Sequence, residues 1–108
     1  MNGEDVYGTI GTEKVTNERI RQIVEEGRTA DSDHVYVYGE LTAAAISYAM
    51  AAADLVLDPN SVPEFDDIKA HWPWNPIWWK PSKDPIRNLE KAGALICAEI
   101  DRLEALKK

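Results

Sequence analysis

The chain has 108 residues, enough for one domain with a modest core, and a domain this small gains stability from self-association. Lys and Arg number 12 against 19 Asp and Glu, a formal charge of −7, which argues against a dedicated nucleic-acid binder because such proteins neutralise phosphates with a basic face. Cys97 is the only cysteine, which excludes an intrachain disulfide and a multi-cysteine metal site. The first residues show no signal-peptide pattern and no apolar run approaches membrane-spanning length, so we expect a soluble, cytoplasmic protein without a membrane partner.

The first predicted helix follows a polar, glycine-containing stretch. Residues 1–14 have no clear period and indicate an arm or a short hairpin. The helix is predicted to begin at Thr16 or Asn17, both good amino-terminal caps, and to end where Gly27 adopts a left-handed conformation. Four apolar residues share the side that is expected to face the core: Val15, Ile20, Ile23 and Val24.

An alanine-rich segment, residues 39–55, predicts the second helix. Its apolar and small residues recur every three or four positions: Leu41, Ala44, Ala45, Tyr48, Ala49, Ala52 and Leu55. Small side chains let neighbouring helices approach closely, so we expect this helix at the centre of the domain. Residues 63–69 then suggest one or two helical turns.

The last helix is predicted to open at Asp84-Pro85, a cap followed by a first-turn proline, and to run to the carboxyl end. Its apolar seam is expected to face the core and comprises Ile86, Leu89, Gly93, Ile96, Ile100 and Leu103. Small residues around Gly93 indicate a close crossing against the second helix. The sequence therefore predicts an all-α fold, a compact bundle of three main helices in a single domain, residues 1–108, with a long loop before the last helix.

That loop, residues 71–81, holds the four tryptophans of the chain among three prolines. Proline fixes the backbone and removes an N–H donor, so we expect a long ordered Pro/Trp-rich loop that displays flat aromatic faces. The rings either fill the core or line a ligand site or a subunit contact, and both roles are compatible.

Tryptophan faces suit a purine base, and the cations that follow them in the sequence suit phosphates. The start of the last helix adds free backbone N–H groups nearby. The predicted ligand-binding residues are Arg21, Trp74, Trp78, Trp79, Lys80 and Arg87. The rival interpretation is that these cations only screen a very acidic surface.

The many carboxylates invite comparison with magnesium-dependent nucleotide pyrophosphohydrolases, which resemble small helical bundles whose acidic side chains converge on Mg²⁺. Glu40 and Asp54 lie on nearly the same side of the second helix, but at 1.5 Å per residue they stand roughly 21 Å apart, too far to share an ion. His34 and His71 have no fixed spacing to a partner, and no serine or cysteine has the surroundings of a nucleophile. We therefore predict no metal, no cofactor and no catalytic residue.

Several motifs resemble those of a widespread group of small phage and prophage proteins. They occupy residues 18–22, 26–29, 39–44, 72–74, 78–81 and 87–103, and so cover most of residues 18–103. The two-part tryptophan signature and the Lys-Ala-Gly-Ala-Leu run at residues 91–95 are the most specific. The group has an acidic His-Asp-Asp element before its Gly-Glu-Leu motif, whereas this chain reads Ser32-Asp33-His34, so a metal site does not transfer from the family.

Small phage proteins of this kind resemble counter-defence factors, among which oligomeric sponges trap nucleotide immune signals such as cyclic ADP-ribose isomers. The resemblance implies a non-catalytic protein that sequesters a nucleotide-derived signal in the cytoplasm of an infected bacterium. We expect a homo-oligomer, with a dimer favoured. Two alternatives stay open: direct inhibition of a host protein through the tryptophan loop, and a metal-dependent all-α nucleotide pyrophosphohydrolase.

Overall fold

The computed structural model describes residues 8–62, 68 and 70–107 as an all-α fold, as predicted, with no strand in these ranges. Helix α1 spans Ile10–Glu26, the short α2 spans Ala30–Asp33, α3 spans Glu40–Leu57 and α4 spans Pro85–Ala105. A 3₁₀ turn at Pro76–Trp78 lies inside the tryptophan loop, residues 71–81. α4 packs on α3 and also on α1. Of the turns predicted over residues 63–69, all but the helical Ile68 lie outside the described residues.

α1 begins at Ile10, earlier than the predicted start at residues 16–17. Thr9 is its cap, because the Thr9 backbone is extended and its side chain accepts a hydrogen bond from the Thr12 N–H at 3.3 Å. The expected arm or hairpin over residues 1–14 is therefore wrong for residues 10–14, and residues 1–7 lie outside the described part of the chain. The predicted end is confirmed, since Gly27 has a φ of 69° and its N–H bonds back to the last turn.

The core-facing side of α1 is polar, which reverses the prediction. Three of the expected core residues are exposed: Ile20, Ile23 and Val24. Three polar residues are buried in their place: Glu18, Arg19 and Gln22. The Arg19 guanidinium explains part of this orientation, because it donates to the Asp101 carboxylate on α4 at 2.9 Å and to the Arg28 carbonyl at 2.7 Å. Hydrogen bonds to other elements thus turn the polar side of α1 towards the core, although the spacing of its apolar residues predicts the opposite orientation.

α3 packs on α4 as the central helix, as predicted. Its buried residues are Leu41, Ala44, Ala45, Ser47, Tyr48, Ala51, Ala52 and Leu55. Ala49, expected in the core, lies on the exposed side. Contrary to the sequence expectation, α3 is long and apolar enough to cross a membrane by length and composition, the one such helix in the described ranges. Within the domain 44% of this helix is buried, on the face that packs on α4.

α4 opens as predicted, because the Asp84 side chain accepts a hydrogen bond from the Ile86 N–H at 2.9 Å and Pro85 occupies the first turn. Its buried face differs from the prediction. The expected seam is exposed apart from Gly93: Ile86, Leu89, Ile96, Ile100 and Leu103. The buried face instead comprises Asn88, Ala92, Ala94, Leu95, Ala98 and Arg102. Alanines on both α3 and α4 let the two helices approach closely, so the larger aliphatic side chains remain outside.

Gly93 packs on α1 rather than on α3. A Cβ atom added at this position would lie 2.8 Å from Cγ2 of Val15, closer than van der Waals contact allows. The close crossing predicted from the small residues of α4 is therefore present, but its partner at Gly93 is the first helix.

Candidate ligand-binding cleft

A cleft of about 920 Å³ lies among the carboxyl end of α1, α2, the tryptophan loop, α3 and α4. A volume of this size accommodates a ligand as large as a nucleotide, since small-molecule pockets measure about 300–1,000 Å³. Both aromatic and charged side chains line it, so stacking and polar contacts are available in one place.

Aromatic rings form one wall of the cleft. The Trp74 ring centroid lies 5.3 Å from that of Tyr36 and 5.4 Å from that of Trp72. Behind them, Trp72 and Trp79 pack against Tyr48 of α3, with centroids at 5.8 and 4.7 Å, and this joins the loop to the core. Trp72 is buried, whereas Trp74 is partly accessible. The loop therefore supplies both core anchors and accessible aromatic faces.

Local hydrogen bonds hold the tryptophan loop in shape. The Asn75 side chain accepts from the Ile77 N–H at 3.0 Å, which starts the 3₁₀ turn at Pro76–Trp78. The Trp72 indole N–H donates to the Asn75 carbonyl at 3.1 Å. These bonds fix the orientation of the neighbouring rings, and they leave Trp78 with 66% of its surface exposed.

Glu18 is a buried carboxylate that joins α1 to α4 beside the cleft. It accepts hydrogen bonds from Arg21 at 2.8 and 3.0 Å, from Gln22 at 3.1 Å and from Arg87 of α4 at 2.8 Å. Burial by itself raises the pKa of this carboxyl, but the three hydrogen-bonded neighbours outweigh burial and lower the pKa of Glu18 to about 2. Glu18 is therefore ionised at neutral pH and positions both arginines.

Three further cations line the cleft, Arg28, Lys80 and Lys91, and two of them lie beside aromatic rings. The Arg28 guanidinium lies 5.1 Å from the centroid of the Trp74 ring. The Lys91 ammonium lies 5.3 Å from the centroid of Tyr48 and donates to the Lys80 carbonyl at 2.7 Å. Burial lowers the pKa of Lys91, and the neighbouring arginines lower it further. Positive charge next to a flat ring is an arrangement that suits a phosphate attached to a base.

Four buried side-chain atoms have no hydrogen-bond partner among the described residues, and all four belong to residues that line the cleft. Two are acceptors, Gln22 Oε1 and Asp33 Oδ2, and two are donors, Arg28 Nη1 and Trp74 Nε1. Gln22 is only 4% exposed and Asp33 only 1% exposed. An unpaired buried donor or acceptor costs about 1–3 kcal/mol, so such atoms are rare in folded proteins. Their concentration here makes the cleft the candidate binding site among the described residues.

Asp33 is the most buried of these four residues. The capping box of α2, in which Thr29 and Ser32 exchange side-chain hydrogen bonds, fixes the short helix that ends at Asp33. Burial raises the pKa of Asp33, and the charges of Arg28 and Arg19 oppose that rise only in part. A ligand N–H donor would relieve the cost of burial, because it would give Oδ2 the hydrogen bond that its described surroundings do not.

Five of the six predicted ligand-binding residues line the cleft: Arg21, Trp74, Trp78, Lys80 and Arg87. The sixth, Trp79, does not, and its ring packs instead on Tyr48 and Trp72 in the core. The guanidinium groups of Arg21 and Arg87 line the cleft but also bind the Glu18 carboxylate. These two residues therefore shape the cleft as well as adding positive charge to it.

The sequence prediction omits Gln22, Arg28 and Asp33. The sequence does contain a signal for Gln22, because Arg21 and Gln22 follow Glu18 by three and four residues, which places these three polar side chains on one face of a helix. No local signal marks Asp33. It reaches the cleft because α2 packs against α4, a contact between distant parts of the chain.

Within the described ranges, no three His, Cys, Asp or Glu side chains gather closely enough to hold a metal ion. The carboxylates that line the cleft are Glu18, Glu26 and Asp33. The first two accept hydrogen bonds from Arg21. Neither His34 nor His71 lines the cleft.

Comparison of the chain with protein-family models, with curated proteins and with solved structures gives no match. The resemblance to small phage and prophage proteins consequently stays a prediction. The chemistry of the cleft is what indicates a function.

Proposed function

We propose that this protein binds a nucleotide-derived signal in the cleft and sequesters it without turnover, as a phage counter-defence protein in the cytoplasm of a bacterial host. One observation carries the proposal: two donors and two acceptors that lack partners in the described part of the chain gather in one aromatic cleft. A ligand with acceptors, N–H donors and a flat ring offers partners to these atoms once their side chains turn towards the cleft, and nucleotides combine these groups.

Each part of a nucleotide has a matching group in the cleft. The base stacks on the accessible face of Trp74, beside Tyr36. Asp33 and Gln22 accept hydrogen bonds from the N–H groups of the ligand, and the Trp74 indole N–H donates to a ring nitrogen or a carbonyl oxygen. Arg28 and the two lysines of the cleft supply positive charge for phosphates.

Sequestration rather than hydrolysis is supported by the state of the carboxylates. Glu18 is engaged by two arginines and an amide, and Glu26 is engaged by Arg21. A carboxylate with a strongly lowered pKa and bonded oxygens is a poor general base. Asp33 is the carboxylate of the cleft with an oxygen unpaired among the described residues, and a single carboxylate does not assemble a magnesium site for phosphate chemistry.

Calorimetry against mononucleotides and against cyclic and linear ADP-ribose derivatives tests the proposal directly. We expect at least one member of the panel to bind, and we expect mass spectrometry of the recovered ligand to show it intact. A hydrolysed ligand would favour the pyrophosphohydrolase alternative. No binding across the panel would contradict a nucleotide site.

Matched variants identify the contact residues. Trp74→Ala should weaken binding about tenfold or more, because base stacking on an aromatic ring is worth roughly 1–3 kcal/mol. Lys80→Ala should weaken binding of phosphate-bearing ligands, whereas Lys83→Ala, an exposed lysine that does not line the cleft, should leave affinity unchanged. Melting temperatures of all variants separate lost contacts from lost structure.

A second candidate function has support of its own. Trp78 and its neighbour Ile77 are 66% and 65% exposed at the tip of the tryptophan loop, and tryptophan is a preferred anchor of protein interfaces. Direct inhibition of a host protein therefore predicts that Ile77→Ala abolishes counter-defence activity in infected cells. Sequestration predicts that Ile77→Ala has no effect, because Ile77 does not line the cleft.

A further inference from the structure

Outside the cleft, α4 exposes one apolar face. Five branched aliphatic residues on it are between 46% and 53% exposed: Ile86, Leu89, Ile96, Ile100 and Leu103. With Gly93 between them they recur at alternating three- and four-residue intervals, the spacing of coiled-coil core positions, but Gly93 itself packs against Val15 of α1, so the exposed row consists of the five aliphatic residues. On an α-helix this spacing confines them to an arc of about 100°. We call this row the α4 stripe.

The α4 stripe is a row of exposed aliphatic side chains on one helix face rather than a scatter of single residues. Single exposed aliphatic residues are normal, but a contiguous row marks an interaction surface. At 1.5 Å per residue the stripe is roughly 26 Å long. At its amino-terminal end it joins an apolar groove of about 310 Å³ between α4 and the start of α1, lined by Ile10, Val15, Ile86 and Leu89 among others.

We propose that the α4 stripe is the contact face of a homodimer, in which a second copy of this chain packs its own α4 stripe against the first. Rows with coiled-coil spacing pack most closely on rows of the same spacing, because side chains of one helix enter the holes of the other. A two-fold axis supplies such a partner, since it brings the same residues of two copies together.

Each chain carries a formal charge of −7, so two copies repel each other overall. The charges beside the α4 stripe nevertheless allow two stripes to pack together. The carboxylates that border the stripe are paired on their own helix or directly after it. The pairs are Glu90 with Arg87 at 3.4 Å, Glu99 with Arg102 at 2.5 Å and Glu104 with Lys107 at 3.1 Å. Two copies therefore meet along an apolar row whose borders are locally balanced, rather than along rows of uncompensated acids.

The area available reaches the lower limit of a specific interface when both stripes are fully buried. Half-exposed aliphatic side chains leave roughly 100 Å² each in water, so pairing two stripes and the adjoining groove buries on the order of 1,000 Å², about the minimum for a specific interface. The shape of the chain agrees with this. It measures 43 × 41 × 22 Å, and its radius of gyration of 14.7 Å exceeds the value of about 13 Å expected at this length. A flattened domain buries less apolar surface by itself than when a second copy packs against it.

Sedimentation equilibrium of the full chain tests the dimer. We expect a particle of twice the 12.1 kDa chain mass at micromolar concentration. The double variant Ile96→Glu, Ile100→Glu should raise the dissociation constant at least hundredfold and leave the helical circular dichroism unchanged. Val56→Glu is the matched control, because Val56 is 67% exposed on α3, away from the stripe, and this variant should remain a dimer. A monomeric wild-type chain, or a double variant that still dimerises as tightly, would overturn the proposal.

Cross-linking tests the same face without added charge. Residue 96 lies near the middle of the stripe, so it meets its own counterpart in both parallel and antiparallel pairing. In a Cys97→Ser background, Ile96→Cys should link two copies through a short bismaleimide, and Val56→Cys should not. Failure of Ile96→Cys to link a folded protein would overturn the assignment of this face. Neither measurement involves the nucleotide cleft.

Discussion

At the scale of single residues, Asp33 is a buried carboxyl whose burial costs stability in the unliganded protein. Its side chain is 1% exposed, and its Oδ2 has no partner in the described ranges. Burial raises its pKa because the charged form loses its water. The unliganded protein therefore gives up stability at this position, and a ligand that completes the hydrogen bonds restores it.

Replacing this carboxyl separates the two effects. Asp33→Asn should raise the melting temperature of the unliganded protein at pH 7 and weaken ligand binding. Because the folded pKa of Asp33 lies above the unfolded value of 3.8, the charged carboxyl destabilises the fold at neutral pH. The difference in melting temperature between wild type and variant should therefore vanish as pH falls below 3.8. Thermal melts between pH 7 and 3 measure this, with the exposed Asp31→Asn as control. A variant less stable than wild type at pH 7 would show that Asp33 is already compensated.

Glu18 is the opposite case, a buried carboxyl that stabilises the fold. Its folded pKa of about 2 lies below the ordinary 4.5, so its contribution is complete above pH 4.5 and is lost as pH falls towards 2. Glu18→Gln should lower the free energy of unfolding at pH 7 by about 1–3 kcal/mol, because Arg21 and Arg87 lose a buried negative charge and one of its two acceptor oxygens. Urea titrations should show this deficit shrinking in acid. Glu25→Gln, which removes an exposed partner of Arg21, should change little, and a deficit independent of pH would contradict the assignment.

At the scale of elements, local signals predict the ends of helices better than their buried faces. Gly27 and the Asp84-Pro85 pair act through the backbone of a few residues, and the structure places both as expected. The cap at Thr9 is missed because glycines on both sides of it resemble breakers. Which face of α1 is buried depends on partners far along the chain, such as Asp101, which lies 82 residues from Arg19. Periodicity holds no information about such partners.

The residues of the cleft also differ in how well the sequence predicts them. The tryptophan loop is one contiguous motif, so composition alone singles out Trp74, Trp78 and Lys80, and all three line the cleft. Trp79 is adjacent to Trp78 in the same motif, yet its ring packs on Tyr48 and Trp72 and does not line the cleft, a difference that only packing decides. Asp33 reaches the cleft through tertiary contacts of α2, so its neighbours in the sequence do not predict its role.

The crossing of α1 and α4 gives a prediction at this scale. A Cβ at residue 93 would lie 2.8 Å from the stiff, β-branched Val15, so Gly93→Leu should lower the free energy of unfolding by about 1–3 kcal/mol through overpacking. Adding Val15→Ala should recover part of this loss, since the smaller side chain makes room. Chemical denaturation of both single variants and the double variant measures the coupling. Strictly additive effects would mean that the two residues do not meet.

At the scale of the whole molecule, the charge of the cleft contrasts with that of the chain. The formal charge is −7, whereas five cationic side chains and three carboxylates line the cleft. A ligand anion is therefore repelled at long range and attracted inside the cleft. This combination favours a small phosphate-bearing molecule over a polyanion such as a nucleic acid, which would also meet the acidic surface around the cleft.

The same contrast predicts a weak dependence of ligand binding on salt. Added salt screens the attraction within the cleft and also the repulsion from the rest of the chain, so affinity for a bound nucleotide should fall less than about tenfold between about 50 and 300 mM salt. The corresponding nucleoside, which lacks phosphate, should bind at least about tenfold more weakly and should not respond to salt. Lys80→Gln should flatten the salt dependence of the nucleotide, and the exposed control Lys83→Gln should not. Calorimetric titrations of both ligands measure these slopes. Equal affinity for nucleoside and nucleotide would show that the cleft recognises the base alone and that its cations serve only the fold.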